Sequence, residues 1–181
     1  MDYDFGDILD ARKASKPLGH FLVILGETKK NEVMYYIVTS RVYTVFKDLL
    51  SFFNDCIIRE DKNFFKYFGK EKDKSSGIIS HGNLIDALFL DKHSCYGLCF
   101  DIDSMIVLNS EPLLIDKEAL ETLRTDQKVF HKDKLSDVDL YKLISMVKHS
   151  PHISPDKVYQ TSASFNQVIR EKRTRQLRTG S

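Results

Sequence analysis

Gly19-His-Phe-Leu-Val-Ile-Leu-Gly-Glu27 decides the fold of this chain, together with Gly6-Asp-Ile-Leu-Asp-Ala-Arg12 before it and Val33-Met-Tyr-Tyr-Ile-Val-Thr-Ser-Arg41 after it. The apolar runs of the second and third stretches are continuous rather than alternating, which indicates strands buried on both faces. The sequence therefore predicts three strands of a small curved sheet, at residues 5–11, 20–27 and 33–39.

The period of the apolar residues changes directly after the third strand. Residues 42–53 carry apolar side chains at helical spacing, which predicts a helix. A charged stretch flanked by Ser and Gly at 69–77 predicts a loop. Further strands are expected at 84–90 and 104–109, with strand-like backbone at 95–100.

The last third of the chain is expected to be helical. Asp116, Ser136 and Ser154 are side chains that cap helix N-termini, and Pro155 occupies the first helical position after the last of them. The sequence thus predicts an α+β protein. Its β-rich core domain, residues 1–112, includes the helix at 42–53, and a helical C-terminal extension, residues 113–178, packs on it.

The size and composition of the chain are those of a globular protein. It has 181 residues, of which 42% are hydrophobic and 29% are charged. Its apolar runs are too short to cross a bilayer, and its acidic start differs from the basic start of a signal peptide. We therefore expect a cytoplasmic protein that is not bound to a membrane.

The cysteines and acidic pairs give no complete metal site. Cys56, Cys95 and Cys99 are odd in number and irregular in spacing, and no second Cys or His pair completes a zinc site around them. The sequence has no glycine-rich phosphate loop, nucleophile elbow or zinc-protease helix. We expect reduced thiols in a reducing cytosol, no metal and no cofactor.

Candidate phosphate ligands stand at the ends of the two central strands. His20 opens one strand, and its imidazole suits acid–base chemistry or the stabilisation of a phosphate. Thr39, Ser40 and Arg41 close the next, where hydroxyls and a guanidinium can bind a phosphate. The alternatives are an imidazole bonded to a backbone carbonyl, and hydroxyls that cap the following helix with Arg41 on the surface.

Two basic segments are candidates for contacts with RNA. Lys13 and Lys16 lie on the loop that leads to His20, where they are either phosphate contacts or solvated lysines. Residues 170–178 hold five basic residues and one acidic residue. Arg173 and Arg175 in this tail suit RNA phosphates, a membrane surface or an acidic partner, and the alternative is a solvated helix end.

Gly6-Asp-Ile, His20-Phe-Leu-Val-Ile-Leu and Ile37-Val-Thr-Ser resemble the corresponding strands of the MazF/PemK-like toxins. The resemblance implies a small SH3-like β-barrel with helices, a dimer, and metal-independent cleavage of single-stranded RNA by attack of the ribose 2′-OH. Thr39 matches the family's hydroxyl position. His20 aligns near a position where the family usually has an Arg.

The resemblance leads to one functional expectation with one alternative. We expect a metal-independent endoribonuclease-like toxin that acts on single-stranded RNA, in which His20 is the acid or base, Arg41 stabilises charge, and Thr39 and Ser40 position the phosphate. Its partners would be RNA, an antitoxin protein or RNA, and a second copy of the chain. The alternative is a non-catalytic protein- or RNA-interaction module of the same fold.

Overall fold

The computed structural model describes residues 3–16, 18–40, 78–80, 86–91, 93–97, 100, 104–108 and 110–179. The predicted helix at 42–53, the predicted loop at 69–77 and Arg41 lie outside these residues. The described elements comprise eight strands and three helices. They are β1 Asp7–Asp10, β2 Phe21–Glu27, β3 Glu32–Thr39, β4 Ile78–Ser80, β5 Asp86–Leu90, β6 Ser104–Val107, β7 Leu113–Asp116, α1 Lys117–Thr125, β8 Phe130–Lys134, α2 Asp137–His149 and α3 Pro155–Thr179.

The strands form one antiparallel sheet in the order β4-β5-β6-β3-β2-β1-β8, and β7 pairs with β3 beside this path. The three predicted N-terminal strands and the mixed α+β class are confirmed. Within the described residues β4 and β8 stand at opposite ends of the order, so the sheet is open. It does not close into the predicted barrel.

One edge of β3 is shared by two strands. Residues 32–35 of β3 pair with 113–116 of β7, whereas Val38 and Thr39 pair with Ile106 and Met105 of β6. The predicted boundary at residue 112 falls between these two strands. Elements from both sides of that boundary therefore belong to one sheet.

In the last third of the chain, the predicted helix starts are correct. Two segments of this part are strands, which the prediction of a helical extension did not include. The side chains of Asp116 and Ser136 accept hydrogen bonds from the backbone N–H groups of Ala119 and Asp139, as expected of N-caps. Residues 113–116 and 130–134, however, form β7 and β8. They are extended because they pair with β3 and β1, which lie far away in sequence.

Helices cover both faces of the sheet, so the protein has two apolar cores. On one face, which we call the α1 face, Leu9, Leu22, Ile24 and Tyr35 pack with Leu120 of α1. The opposite face packs against α2 and α3. This second core includes, among others, Ile8, Val23, Tyr36, Leu88, Ile106, Leu143, Phe165 and Val168. Burial on both faces explains why the apolar runs of β2 and β3 are continuous.

A glycine permits close contact between β2 and α3. Gly26 has φ of 123°, and a Cβ atom there would lie 2.0 Å from Oγ of Ser164. The β2–β3 register shifts between Ile24 and Gly26. A residue with a side chain would meet both a strained backbone and the helix, so this position requires glycine.

The oxidation state of Cys95 differs from the expectation that the cysteines are reduced. Cys95 is disulfide-bonded and forms an isolated bridge with Leu135. The predicted strand-like segment at 95–100 lies only partly within the described residues. Cys56 and Cys99 lie outside the described residues. The prediction of a reduced, inert thiol is therefore wrong for Cys95.

Candidate functional site

The registers of β1, β2 and β3 bring His20 and Thr39 side by side. Phe21 pairs with Val38, so the next position along each strand places His20 opposite Thr39. The backbone N–H of Ala11 donates a 3.0 Å hydrogen bond to the carbonyl of His20, which extends the β1–β2 pairing to this point. Residues directly opposite on antiparallel strands have Cβ atoms about 5 Å apart.

Strand alternation puts both side chains on the α1 face. His20 continues the series of Leu22 and Ile24, which pack on this face, and Thr39 follows Tyr35 in the same way. His20 is exposed and Thr39 is half-buried. An exposed imidazole beside a hydroxyl, at the edge of an apolar core, can contact a bound phosphate and exchange a proton with it.

The loop before β2 carries several cationic side chains. Arg12 donates hydrogen bonds of 3.0 and 2.7 Å to the carboxylate of Asp10, and these bonds lower the pKa of Asp10. The guanidinium also lies 4.4 Å from the ring centre of Phe21. With Arg12 and Asp10 neutralising each other, the net charge of the loop comes from the exposed Lys13 and Lys16.

The remaining described residues of the predicted site are Ser40, Arg173 and Arg175, and they do not lie together. Ser40 is exposed directly after β3, next to Thr39. Arg173 and Arg175 lie on the last turns of α3, a helix that packs on the opposite face of the sheet from His20. Arg175 lies 4.0 Å from Glu171. The tail arginines therefore do not lie beside His20 and Thr39.

Sequence reasoning missed a groove on the α1 face. It measures about 380 Å³ and lies between α1 and the start of β8. Glu121, Arg124 and Thr125 of α1 line one side, and Phe130 and His131 line the other, with Val129 between them. The sequence pattern predicts no strand at residues 130–134, so it does not place Phe130 beside the sheet.

A buried tyrosine organises the α1 wall of this groove. The hydroxyl of Tyr3 donates a 2.7 Å hydrogen bond to Glu121, and Arg124 contacts the same carboxylate at 3.2 Å. Burial and the hydrogen bond to Glu121 raise the pKa of Tyr3 to about 12. The hydrogen bond from Tyr3 lowers the pKa of Glu121, so the wall holds a carboxylate and a guanidinium side by side.

Two further ion-pair clusters are structural. Lys134 contacts Asp4 at 2.9 Å and Asp7 at 3.3 Å. Burial opposes the charge of Lys134, but these two carboxylates outweigh it and raise its pKa. In the second cluster, Lys172 contacts Tyr96 and Asp137. These pairs connect the N-terminus to β8 and α3 to α2.

Within the described part of the chain, no group of three or more His, Cys, Asp or Glu residues is arranged to hold a metal ion. The described helices include none that is long and apolar enough to cross a membrane. No protein-family model matches the chain, and no curated protein or solved structure is significantly similar to it.

Proposed function

We propose that this protein is a metal-independent endoribonuclease that acts on single-stranded RNA at the corner of His20 and Thr39. The observation that carries the proposal is the register of β2 and β3, which aligns an exposed imidazole with a hydroxyl on one face of the sheet. The exposed Lys13 and Lys16 precede His20 on the same loop and supply charge for an RNA backbone.

The reaction that suits these groups needs no metal ion. The ribose 2′ oxygen attacks the adjacent phosphorus, the bond from phosphorus to the 5′ oxygen breaks, and a 2′,3′-cyclic phosphate remains. His20 accepts the proton of the 2′-OH, and the leaving 5′ oxygen takes up a proton from solvent water. Thr39 and Ser40 donate hydrogen bonds to phosphate oxygens, and Arg41 stabilises their growing negative charge.

The biological setting of this activity follows from the resemblance to the MazF/PemK-like toxins. In this proposal the protein is a toxin that is held inactive by an antitoxin protein or RNA, and it acts as a homo-oligomer. Arg173 and Arg175 on the basic end of α3 give a second set of contacts with RNA phosphates.

A second candidate is a non-catalytic RNA-interaction module. The observation that favours it is the contact between Lys13 and Phe130, in which Nζ lies 5.0 Å from the ring centre. A cation beside an exposed aromatic ring is suited to binding single-stranded nucleic acid whether or not the strand is cut.

The two candidates are separated by a cleavage assay in the presence of a metal chelator. We expect the wild type to cut a single-stranded RNA of mixed sequence and to leave cyclic phosphate ends. His20→Ala should lower the rate by about a hundredfold or more, and Thr39→Val should also lower it whereas Thr39→Ser retains most of it. The control is His149→Ala, which removes an exposed histidine at the end of α2.

RNA binding should be measured in parallel, so that a failure to cleave the RNA can be interpreted. RNA that is bound by the wild type but stays intact would exclude the nuclease and support the interaction module. RNA that is neither bound nor cut would exclude both candidates. In cells, induced wild type should arrest growth with loss of RNA integrity, and His20→Ala should not.

A further inference from the structure

The protein holds one edge of the Arg124 guanidinium and leaves the other edge available. Nη1 donates hydrogen bonds of 3.2 Å to both carboxylate oxygens of Glu121, and the hydroxyl of Tyr3 donates to the same carboxylate at 2.7 Å. Among the described residues, Nε and Nη2 of Arg124 have no hydrogen-bond acceptor. These two nitrogens can donate parallel hydrogen bonds to one phosphate group.

The guanidinium lines the groove between α1 and β8, which measures about 380 Å³. The side chain of Arg124 is 23% exposed, so a ligand in the groove can reach it. The contact with Glu121 and the ring of Tyr3, whose centre lies 6.0 Å from the guanidinium carbon, restrict its motion. An arginine that is already held in place loses less conformational entropy when it binds a ligand.

His131 offers a further hydrogen-bond donor on the β8 side of the same groove. It pairs with Leu9 of β1, which packs on the α1 face, so His131 lies on that face as well. Its side chain is 49% exposed, and Nε2 lies 3.5 Å from Asp7, a carboxylate that Lys134 also contacts. An imidazole donates from one ring nitrogen, and from both when it is protonated.

The groove and the proposed cleavage site lie on the same face of the sheet. Leu9 pairs with both His131 and Leu22, and His20 precedes Leu22 by two residues on β2. Adjacent strands are about 4.8 Å apart, and two residues along a strand span about 7 Å. The backbone positions of His131 and His20 are therefore roughly 12 Å apart. An RNA strand of several nucleotides is long enough to reach both.

We infer that Arg124 and His131 bind a phosphate of the RNA strand other than the one that is cleaved. The inference rests on the proposed function, because it takes RNA as the ligand of the α1 face. It adds a phosphate-binding subsite that holds the strand and takes no part in the reaction at His20 and Thr39. An RNA that is long enough to reach this subsite should bind more tightly than a shorter one.

Binding to an RNA analogue that is not cut tests the contact directly. A single-stranded 2′-O-methyl oligouridylate of about ten nucleotides lacks the attacking hydroxyl, so its affinity for the wild type can be measured. Each phosphate contact with a single strand contributes about −0.7 to the slope of log affinity against log salt concentration. Arg124→Gln should therefore bind this oligomer less tightly, with a slope about 0.7 less steep.

Two further variants separate a phosphate contact from a change of fold. Arg124→Lys keeps the charge but loses the two parallel donors, so it should keep the wild-type slope and lose part of the affinity. Lys148→Gln is the matched control, because it removes one exposed positive charge from α2, which packs on the other face of the sheet. It should leave the slope unchanged. Thermal unfolding shows whether each variant is folded.

Cleavage of substrates of two lengths gives an independent readout. A dinucleoside monophosphate has a single phosphate, which the cleavage site occupies, so this substrate cannot reach the groove at the same time. Arg124→Gln should leave its kcat/KM unchanged. For an RNA of about ten nucleotides, the same variant should raise KM about two- to fivefold, as expected for the loss of one ion pair at the surface. Its kcat should not change.

The outcomes distinguish a failure of the subsite from a failure of the proposed function. A folded Arg124→Gln with the wild-type salt slope would overturn the inference, and so would an equal loss of cleavage on the short and the long substrate. If the slope changes but the wild type cuts no RNA, the phosphate contact stands and the nuclease proposal fails. If the wild type does not bind the oligomer, both fail.

Discussion

The hydroxyl of Tyr3 donates a 2.7 Å hydrogen bond to Oε1 of Glu121, which lies 118 residues further along the chain. The backbone N–H of Tyr3 donates to Glu27 at 3.1 Å, and Lys117 contacts Glu27 at 2.8 Å. The N-terminal segment is thereby connected to both β2 and α1. Since Glu121 lines the groove beside β8, Tyr3 also fixes one wall of this groove.

Removing this hydroxyl should change how stability depends on alkaline pH. The pKa of Tyr3 is about 12 in the folded protein, whereas the ordinary pKa of a tyrosine is 10.0. Between these values the unfolded chain loses the proton while the folded protein keeps it, so the free energy of unfolding falls as pH rises. At about pH 11 the loss due to Tyr3 amounts to about 1 kcal/mol.

Tyr3→Phe should therefore show a shallower decline in urea-unfolding free energy between about pH 9 and about pH 11 than the wild type. Tyr159→Phe, which changes an exposed tyrosine on α3, should keep the wild-type slope. Equal slopes for the wild type and Tyr3→Phe would show that Tyr3 contributes no such linkage.

Substitution of Gly26 should destabilise the contact between β2 and α3. The new Cβ atom of Gly26→Ala would lie 2.0 Å from Oγ of Ser164, on a backbone with φ of 123°. We expect a loss of roughly 1–3 kcal/mol in unfolding free energy, measured by denaturant unfolding. Gly19→Ala is the control, because its Cβ would have only an ordinary contact, 3.5 Å from the carbonyl of Ala14.

The loop lysines should determine how RNA binding responds to salt. Each phosphate contact with a single strand contributes about −0.7 to the slope of log affinity against log salt concentration. Lys16→Ala should therefore make this slope about 0.7 less steep. Lys148→Ala, which removes an exposed lysine on α2, should leave it unchanged. An unchanged slope for Lys16→Ala would exclude a phosphate contact at this residue.

The disulfide of Cys95 should be visible in the number of reactive thiols. The chain has three cysteines, and one disulfide within it uses two of them. Unfolded protein kept without reductant should thus react with one equivalent of a thiol reagent, and reduced protein with three. Cys95→Ser should give two equivalents without reductant. Three equivalents from the unreduced wild type would mean that the thiols are free.

Local sequence signals predicted the elements whose causes are local. The continuous apolar runs of β2 and β3 reflect burial on both faces, and the capping side chains of Asp116 and Ser136 act within three residues of themselves. The sequence also indicated that His20 and Thr39 stand at strand ends. Their adjacency depends on the β2–β3 register. The apolar pattern is consistent with this register but does not determine it.

Strand β8 shows where local signals failed. Phe130–Lys134 reads FHKDK, a charged segment without a clear apolar period. Its extended conformation comes from pairing with β1, more than a hundred residues earlier in the chain. Tertiary pairing outweighed local propensity there, and the groove beside Phe130 was missed with it.

The sequence by itself determined the mixed α+β class, the three N-terminal strands and the starts of the three C-terminal helices, because apolar period and capping act over a few residues. Only the tertiary structure decided the open strand order, the alignment of His20 with Thr39 and the joining of Phe130, Glu121 and Arg124 around one groove. These relationships are contacts between residues far apart in sequence, and they exist only once the sheet and α1 have packed together.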